Sequence, residues 1–178
     1  MQASIKDLTI QNIKDIPEPC RACLYWEKPA FEGKNTKTEK KEHEKAAWFA
    51  KTLKEFGNCG KILYVDNMPV GYAQYSTCNR LPKVQDYGAE KLDKAIEKVA
   101  FISCLYISKE NFRGKRLGVK LLNEVIDDLK KRGFEAVETF ARKGSTNNPS
   151  GPIEIYLKKG FSVKEDIDSD FALMRRDI

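Results

Sequence analysis

Hydrophobic and polar positions follow two periods along this chain. Leu117, Leu121, Leu122, Val125, Ile126 and Leu129 recur at steps of three and four, which predicts an amphipathic helix with one apolar stripe. Lys130, Lys131 and Arg132 crowd its last turn, where cations suit the helix dipole, and Gly133 supplies a C′ position. Ala46, Phe49, Leu53 and Phe56 share one face of a second helix predicted over about 39–56 and ended by Gly57. The apolar runs 61–65 and 70–75 flank Asp66-Asn67-Met68-Pro69 and read as a β-hairpin. Residues 100–107 read as a buried strand, 134–140 as the strand after the helix, 161–163 as the start of another and about 170–175 as the last. Near the N-terminus, 8–10 reads as a first strand and 20–27 as a short helix whose Leu24, Tyr25 and Trp26 face core or pocket. Leu92, Ala95, Ile96 and Val99 space a further helix over 89–99, inside a long connection, 79–98, that reads equally as a substrate lid or a surface excursion. The order is two early helices, a hairpin and then β-α-β-α-β, an α+β arrangement.

One junction in this pattern carries candidate chemistry. Arg113-Gly114-Lys115-Arg116-Leu117-Gly118 joins the buried strand to the strongly periodic helix. A helix start offers unpaired backbone N–H groups and the positive end of the dipole, and glycine lets an anion approach those amides. The turn alone reads equally as an ordinary strand-to-helix connection with solvated lysines. A second feature stands downstream, in Gly151-Pro152-Ile153-Glu154-Ile155-Tyr156-Leu157-Lys158-Lys159-Gly160-Phe161. Pro152 suits a first helical position and Gly160 ends the helix after about two turns.

With these two segments in this order the chain resembles the GNAT superfamily of acyl-CoA-dependent N-acetyltransferases. That family carries an Arg/Gln-x-x-Gly-x-Gly/Ala turn and, later, a short helix reading Tyr-x-x-x-Gly-Phe. Arg113, Gly118, Tyr156, Gly160 and Phe161 match, and the resemblance covers about residues 60–165. Arg116 stands where the family's first motif glycine would be, and Pro149 where the family has an asparagine seven residues before the tyrosine.

The resemblance implies a mixed, largely antiparallel sheet flanked by helices and splayed at the CoA site. It implies acetyl-CoA as cosubstrate, held by backbone of Leu105, Tyr106 and Ile107 and by the turn of Arg113, Gly114, Lys115, Arg116, Leu117 and Gly118. Tyr156 becomes the expected general acid, since a phenol with pKa about 10 is protonated at neutral pH. By the same resemblance the expected acceptor is a small-molecule or peptide amine, the expected transfer is direct, and subunit pairing through sheet edges to a homodimer is compatible with the family. A non-catalytic acyl-CoA-binding sensor on the same fold stays open.

The base is left open. Glu27, Glu110 and Glu138 are carboxylate candidates. His43 has the right intrinsic pKa, but beside Ala46 it reads as a partly buried structural imidazole. Cys104 in an apolar strand reads as core rather than as an acyl-carrying nucleophile. Tyr25, Trp26 and Tyr75 are pocket or core aromatics.

Composition narrows the rest. The 178 residues carry 41% hydrophobic positions and suit one globular domain spanning 1–178, with no apolar run of membrane-spanning length and no apolar leader at the N-terminus, so a cytoplasmic protein is expected. The net charge of +6 comes from 32 basic and 26 acidic residues interleaved without a basic block, which argues against nucleic acid and favours an anionic cofactor. Five cysteines, an odd count, argue against a disulfide framework. Cys20 and Cys23 have metal-knuckle or thiol-redox spacing but no second pair, so no metal is expected and a zinc or redox protein is the least favoured alternative.

Overall fold

The computed structural model describes residues 2–28, 37–92, 98–144 and 150–178. Seven strands form one sheet in the order β1-β2-β3-β4-β5-β7-β6. They are β1 (Ala3–Asp7), β2 (Gly60–Val65), β3 (Met68–Ser76), β4 (Val99–Ile107), β5 (Ala136–Arg142), β6 (Ser162–Asp166) and β7 (Phe171–Asp177). The α-helices are α1 (Thr38–Glu55), α2 (Leu117–Lys131) and α3 (Ile153–Leu157).

The predicted hairpin is present. Asp66 and Asn67 both take positive φ, 48° and 65°, the geometry that closes a two-residue turn in register with the right-handed twist of the strands. β2 and β3 pair antiparallel and are buried along most of their length. The first strand lies earlier than predicted: β1 pairs antiparallel with β2, Ile5 opposite Leu63, while Ile10 is exposed in the following turn. Only Ala3 and Ile5 turn toward the core in this polar edge strand. Only a 3-10 turn, Cys20–Ala22, occupies the predicted 20–27 helix.

Helix α2 packs one face of the sheet and buries the six residues of its predicted stripe. Each such burial contributes roughly 1.5–3 kcal/mol. Against the same face lie Leu63, Ala73 and Tyr75 of the hairpin and Tyr156 of α3. The opposite face is covered by α1 through Phe49, by Trp26, and by the connection after β3. That connection holds two 3-10 turns, Cys78–Arg80 and Pro82–Tyr87. The helix predicted over 89–99 is not formed in its described part: 89–92 is irregular, Val99 belongs to β4, and 93–97 lies outside the described residues. Tyr87 stacks on Phe140 with centroids 4.2 Å apart and on Trp26 at 5.6 Å. The connection is thus fastened into the core by its own aromatic ring.

Candidate functional site

β4 and β5 are the only neighbours in the described sheet that run parallel. Their pairing lasts for three positions, Val99↔Ala136, Ala100↔Val137 and Phe101↔Glu138. Beyond Phe101 the strands part, and β4 runs on to Ile107 with only β3 as a ladder partner. Such a fork presents unpaired strand-edge groups to a ligand. A register irregularity at Gln74/Tyr75 sets Ser103 as an extra residue in β4, and the Ser103 hydroxyl donates to the Gln74 carbonyl at 3.2 Å. A bulge of this kind bends its strand and turns it from its neighbour.

At the base of the fork the Thr139 hydroxyl donates to the Ile102 carbonyl at 2.8 Å. The same side chain sits against the phenol oxygen of Tyr156. Tyr156 is fully buried and its hydroxyl donates to the Ser150 carbonyl. Burial pushes its pKa up, the neighbouring Thr139 hydroxyl opposing, so the phenol stays protonated across the neutral range. Gly151 lies alongside: a Cβ there would meet Leu105 Cδ2 and the Tyr156 ring, each at 3.6 Å, and its φ is +84°. Those are ordinary contacts, so it is the left-handed backbone that favours glycine here. Pro152 caps α3 in extended geometry and bridges to Arg142, so the helix starts one residue later than the proline suggests.

The turn after β4 leads into α2, as the sequence pattern predicts. Gly114 and Arg116 both take positive φ, 73° and 60°. Arg116 therefore adopts, as a non-glycine residue, the left-handed conformation at the N-cap of α2. Its side chain is exposed, as is that of Lys115. The side chain of Arg116, the N-cap residue, makes no capping bond, and Lys120 makes the first intrahelical bond, to the Arg116 carbonyl at 3.1 Å. The amides before it are the unpaired first-turn donors of any helix. Gly118 stands among them, and a Cβ there would touch only Ile155, at 3.6 Å. Arg113 turns back rather than outward. Its Nε donates to the Ile107 carbonyl at 3.1 Å and its guanidinium lies over the Tyr106 ring, 5.7 Å from the centroid. It ties the turn to the end of β4. Leu105 and Leu117 are buried; Tyr106, Ile107 and Arg113 are half-buried.

The face of β3 and β4 opposite α2 holds a polar group that the sequence only partly discloses. Lys45 of α1 is 2% exposed and pairs with Glu27 Oε1 at 2.6 Å. It also donates to Gln74 Oε1 at 2.8 Å, and Gln74 Nε2 donates to Glu27 Oε1 at 2.6 Å. The Tyr72 hydroxyl donates to Gln74 Oε1 at 2.7 Å. Burial is the largest single influence and works against the Lys45 ammonium, but the groups around it, led by the Glu27 carboxylate, together hold its pKa above the ordinary lysine value. Lys45 and Gln74 escaped the sequence reading, although Lys45 stands four residues before Phe49, on the apolar stripe of α1.

The other candidates disperse. Glu138 is buried on β5 and held by Lys164 at 2.6 Å and Arg175 at 3.1 Å. Glu110 lies exposed in the 3-10 turn Glu110–Phe112. His43 is exposed on α1, not partly buried. Tyr75 is core on the α2 face, its hydroxyl donating to Asp128 at 3.0 Å. Trp26 is core on the opposite face, and Tyr25 is exposed with its hydroxyl 3.1 Å from that of Tyr87. Cys104 is buried with its thiol pKa pushed well up by desolvation. The Cys20 thiol is likewise raised to about 12 by burial, with Cys23 adding to it. None of the five cysteines forms a disulfide among the described residues. Among the described residues no group of three or more His, Cys, Asp or Glu is placed to hold a metal ion, and no helix is long and apolar enough to cross a membrane.

A sheet with one short parallel pairing that opens into a fork, followed by a turn and an uncapped helix, defines an acetyltransferase-type fold. Residues 20–161 match the acetyltransferase (GNAT) family, and the chain belongs to that family. It is 28% identical over 174 residues to an uncharacterized N-acetyltransferase of Methanocaldococcus jannaschii, with 97% of this chain aligned and 66% of that protein spanned. Among solved structures it is similar to the PaiA N-acetyltransferase of Thermoplasma acidophilum in complex with coenzyme A, at TM-score 0.62 and 19% identity with both chains fully covered. The putative acetyltransferase yncA of Salmonella typhimurium, solved with acetyl-CoA, gives TM-score 0.64 at 15% identity, covering 98% of this chain and 93% of that one.

Proposed function

We propose that this chain moves an acetyl group from acetyl-CoA directly to the primary amine of a small-molecule or peptide acceptor. The observation that carries the reading is the fork, where β4 leaves β5 after Phe101 with the Tyr156 hydroxyl buried at its base. The first-turn amides of α2, behind Arg113, Gly114, Lys115 and Arg116, hold the pyrophosphate, as uncapped helix starts do. Leu105, Tyr106 and Ile107, past the point where β5 departs, offer backbone groups to the pantetheine arm. Arg113 acts here by anchoring that stretch through the Ile107 carbonyl. Relatives of the same fold whose structures contain coenzyme A or acetyl-CoA support the choice of cosubstrate.

In this reading Tyr156 gives its proton to the departing sulfur as the C–S bond breaks, a role suited to a phenol that burial keeps neutral. The protons balance: the acceptor ammonium loses two, one replacing the Tyr156 proton that went to sulfur and one passing to solvent. Tyr156→Phe tests the assignment. It is expected to bind acetyl-CoA as the wild type does and to lose about tenfold or more in turnover. Unchanged turnover would remove Tyr156 from the chemistry. One observation favours a non-catalytic acyl-CoA sensor instead: the Tyr156 hydroxyl is engaged within the chain by the Ser150 carbonyl. Wild-type protein that binds acetyl-CoA but acetylates no amine in a broad panel would establish that second reading.

A further inference from the structure

The carboxylate of Glu27 is used on one side only. Its side chain is 3% exposed, and Oε1 accepts from both Lys45 and Gln74 at 2.6 Å. Oε2 is buried and has no hydrogen-bond partner among the described residues. A buried ion pair kept for structure alone is expected to satisfy both oxygens, because an unpaired buried carboxylate oxygen carries its full desolvation cost. Groups left in this state mark places where a further donor belongs.

The position is informative. Gln74, which holds Glu27, is the register partner of Cys104, and Cys104 lies on the part of β4 that β5 has already left. Glu27 thus stands on the sheet face opposite α2, beside the fork, whereas the turn of 113–118 lies at the start of α2 on the other face. The groups around it are Lys45 from α1, Gln74 and Tyr72 from β3, Cys104 from β4, and the thiols of Cys20 and Cys23. Lys45 is the one cation in this set, and its contacts run to Oε1 and Gln74. Glu138, the other buried carboxylate near the fork, is held by two cations. The turn bearing Glu27 reaches the surface at Tyr25 and Lys28, while Trp26 beside it is buried.

We propose that Glu27 Oε2 receives the ammonium group of the acceptor and takes its proton, with Lys45 and Gln74 as the residues that position the carboxylate. The inference rests on the acetyl-transfer reading and deepens it, naming a protonated primary alkylamine as the substrate class. The proton passes from nitrogen to Oε2, the freed lone pair forms the C–N bond to the acetyl carbon, and the C–S bond breaks. The second nitrogen proton and the one held by Glu27 then restore Tyr156 and return to solvent.

The test uses the whole chain as wild type, Glu27→Gln, Lys45→Met and the double variant Glu27→Gln with Lys45→Met. The probes are butylamine, 1,4-diaminobutane and an alanine-led tripeptide amide, with thiol release from acetyl-CoA as the readout, and thermal unfolding and acetyl-CoA calorimetry alongside. The double variant carries no unpaired buried charge, so it separates folding from chemistry. It is expected to melt close to the wild type and bind acetyl-CoA within about twofold, yet lose about a hundredfold in kcat/KM for any amine the wild type turns over. A folded double variant with amine turnover within about threefold of wild type would overturn the proposal. So would loss of acetyl-CoA binding in that variant, because the defect would then not belong to the acceptor. Wild type that binds acetyl-CoA and acetylates none of the probes would instead bring down the acetyl-transfer reading, and this one with it.

Discussion

Replacing Lys45 by methionine removes the cation from a pair whose two side chains are each 3% exposed and whose charged atoms lie 2.6 Å apart. Methionine fills a similar volume, so the cavity contribution is small. What remains is the Glu27 carboxylate, buried and left with Gln74 as its donor. Breaking a buried pair on one side costs about 3–5 kcal/mol. With a urea m-value of about 2 kcal/mol/M for a chain of this size, the midpoint falls by about 2 M. In a thermal scan the same loss lowers Tm by about 10 °C. The comparison is Lys98→Met, whose pair with Glu135 is 63% and 64% exposed and whose removal shifts stability by less than about 1 kcal/mol. Urea unfolding followed by tryptophan fluorescence measures both, since Trp26 and Trp48 lie on the α1 side of the sheet. A Lys45→Met loss no larger than that of Lys98→Met would refute the reasoning that this pair is dry and tightly held.

Two further outcomes follow from the buried thiols. Burial raises both Cys20 and Cys59 from 9.0 to about 12, so the folded chain keeps protons that the unfolded chain releases. The stabilisation is complete below pH 9 and is lost as the pH rises toward 12; at pH 10 the two thiols together cost about 3 kcal/mol relative to pH 8. Urea midpoints across that range measure it, and a flat profile would mean that the thiols are not desolvated. Metal analysis of protein purified without added zinc is expected to give less than about 0.2 equivalents, and a stoichiometric value would reinstate Cys20 and Cys23 as ligands.

The elements legible in the sequence are those whose own periodicity decides their state. The stripe from Leu117 to Leu129 fits only a helix with one buried face, and the hairpin is announced by Asp66-Asn67 between two apolar runs. β1 lies a few residues before the predicted strand 8–10 because an edge strand buries little of itself: Leu8 is core but lies beyond the strand, while Ser4, Lys6 and Asp7 are exposed. The segment 89–99 has helical spacing, yet Val99 joins β4 and Leu92 reaches the core from an irregular stretch. At Val99 tertiary pairing overrides the local period.

The candidate site divides in the same way. The glycine turn and the Tyr156 segment are local motifs, and the structure forms them as a strand-to-helix turn and a short helix. The burial of Tyr156 against Thr139 and Ser150, and the return of Arg113 to Ile107, depend on strands far apart in sequence. The Glu27–Lys45–Gln74 group is assembled from three separate segments, and no spacing rule joins them. Its one local sign is a lysine on an apolar helical stripe. Arg116 in the left-handed region shows that the turn keeps its geometry without the glycine that usually makes it easy, at a strain cost of order 1 kcal/mol.

Acetyl-CoA calorimetry on the wild type and on Gly118→Glu tests the central claim most directly. The glutamate places a carboxylate among the first-turn amides of α2 at a position where a Cβ meets only Ile155, at 3.6 Å, so the fold is expected to survive while an anion is repelled. The account predicts saturable binding by wild type and affinity reduced by about tenfold or more in Gly118→Glu, with unchanged helix content by circular dichroism. No binding by well-folded wild type, or equal binding by both proteins, would contradict it.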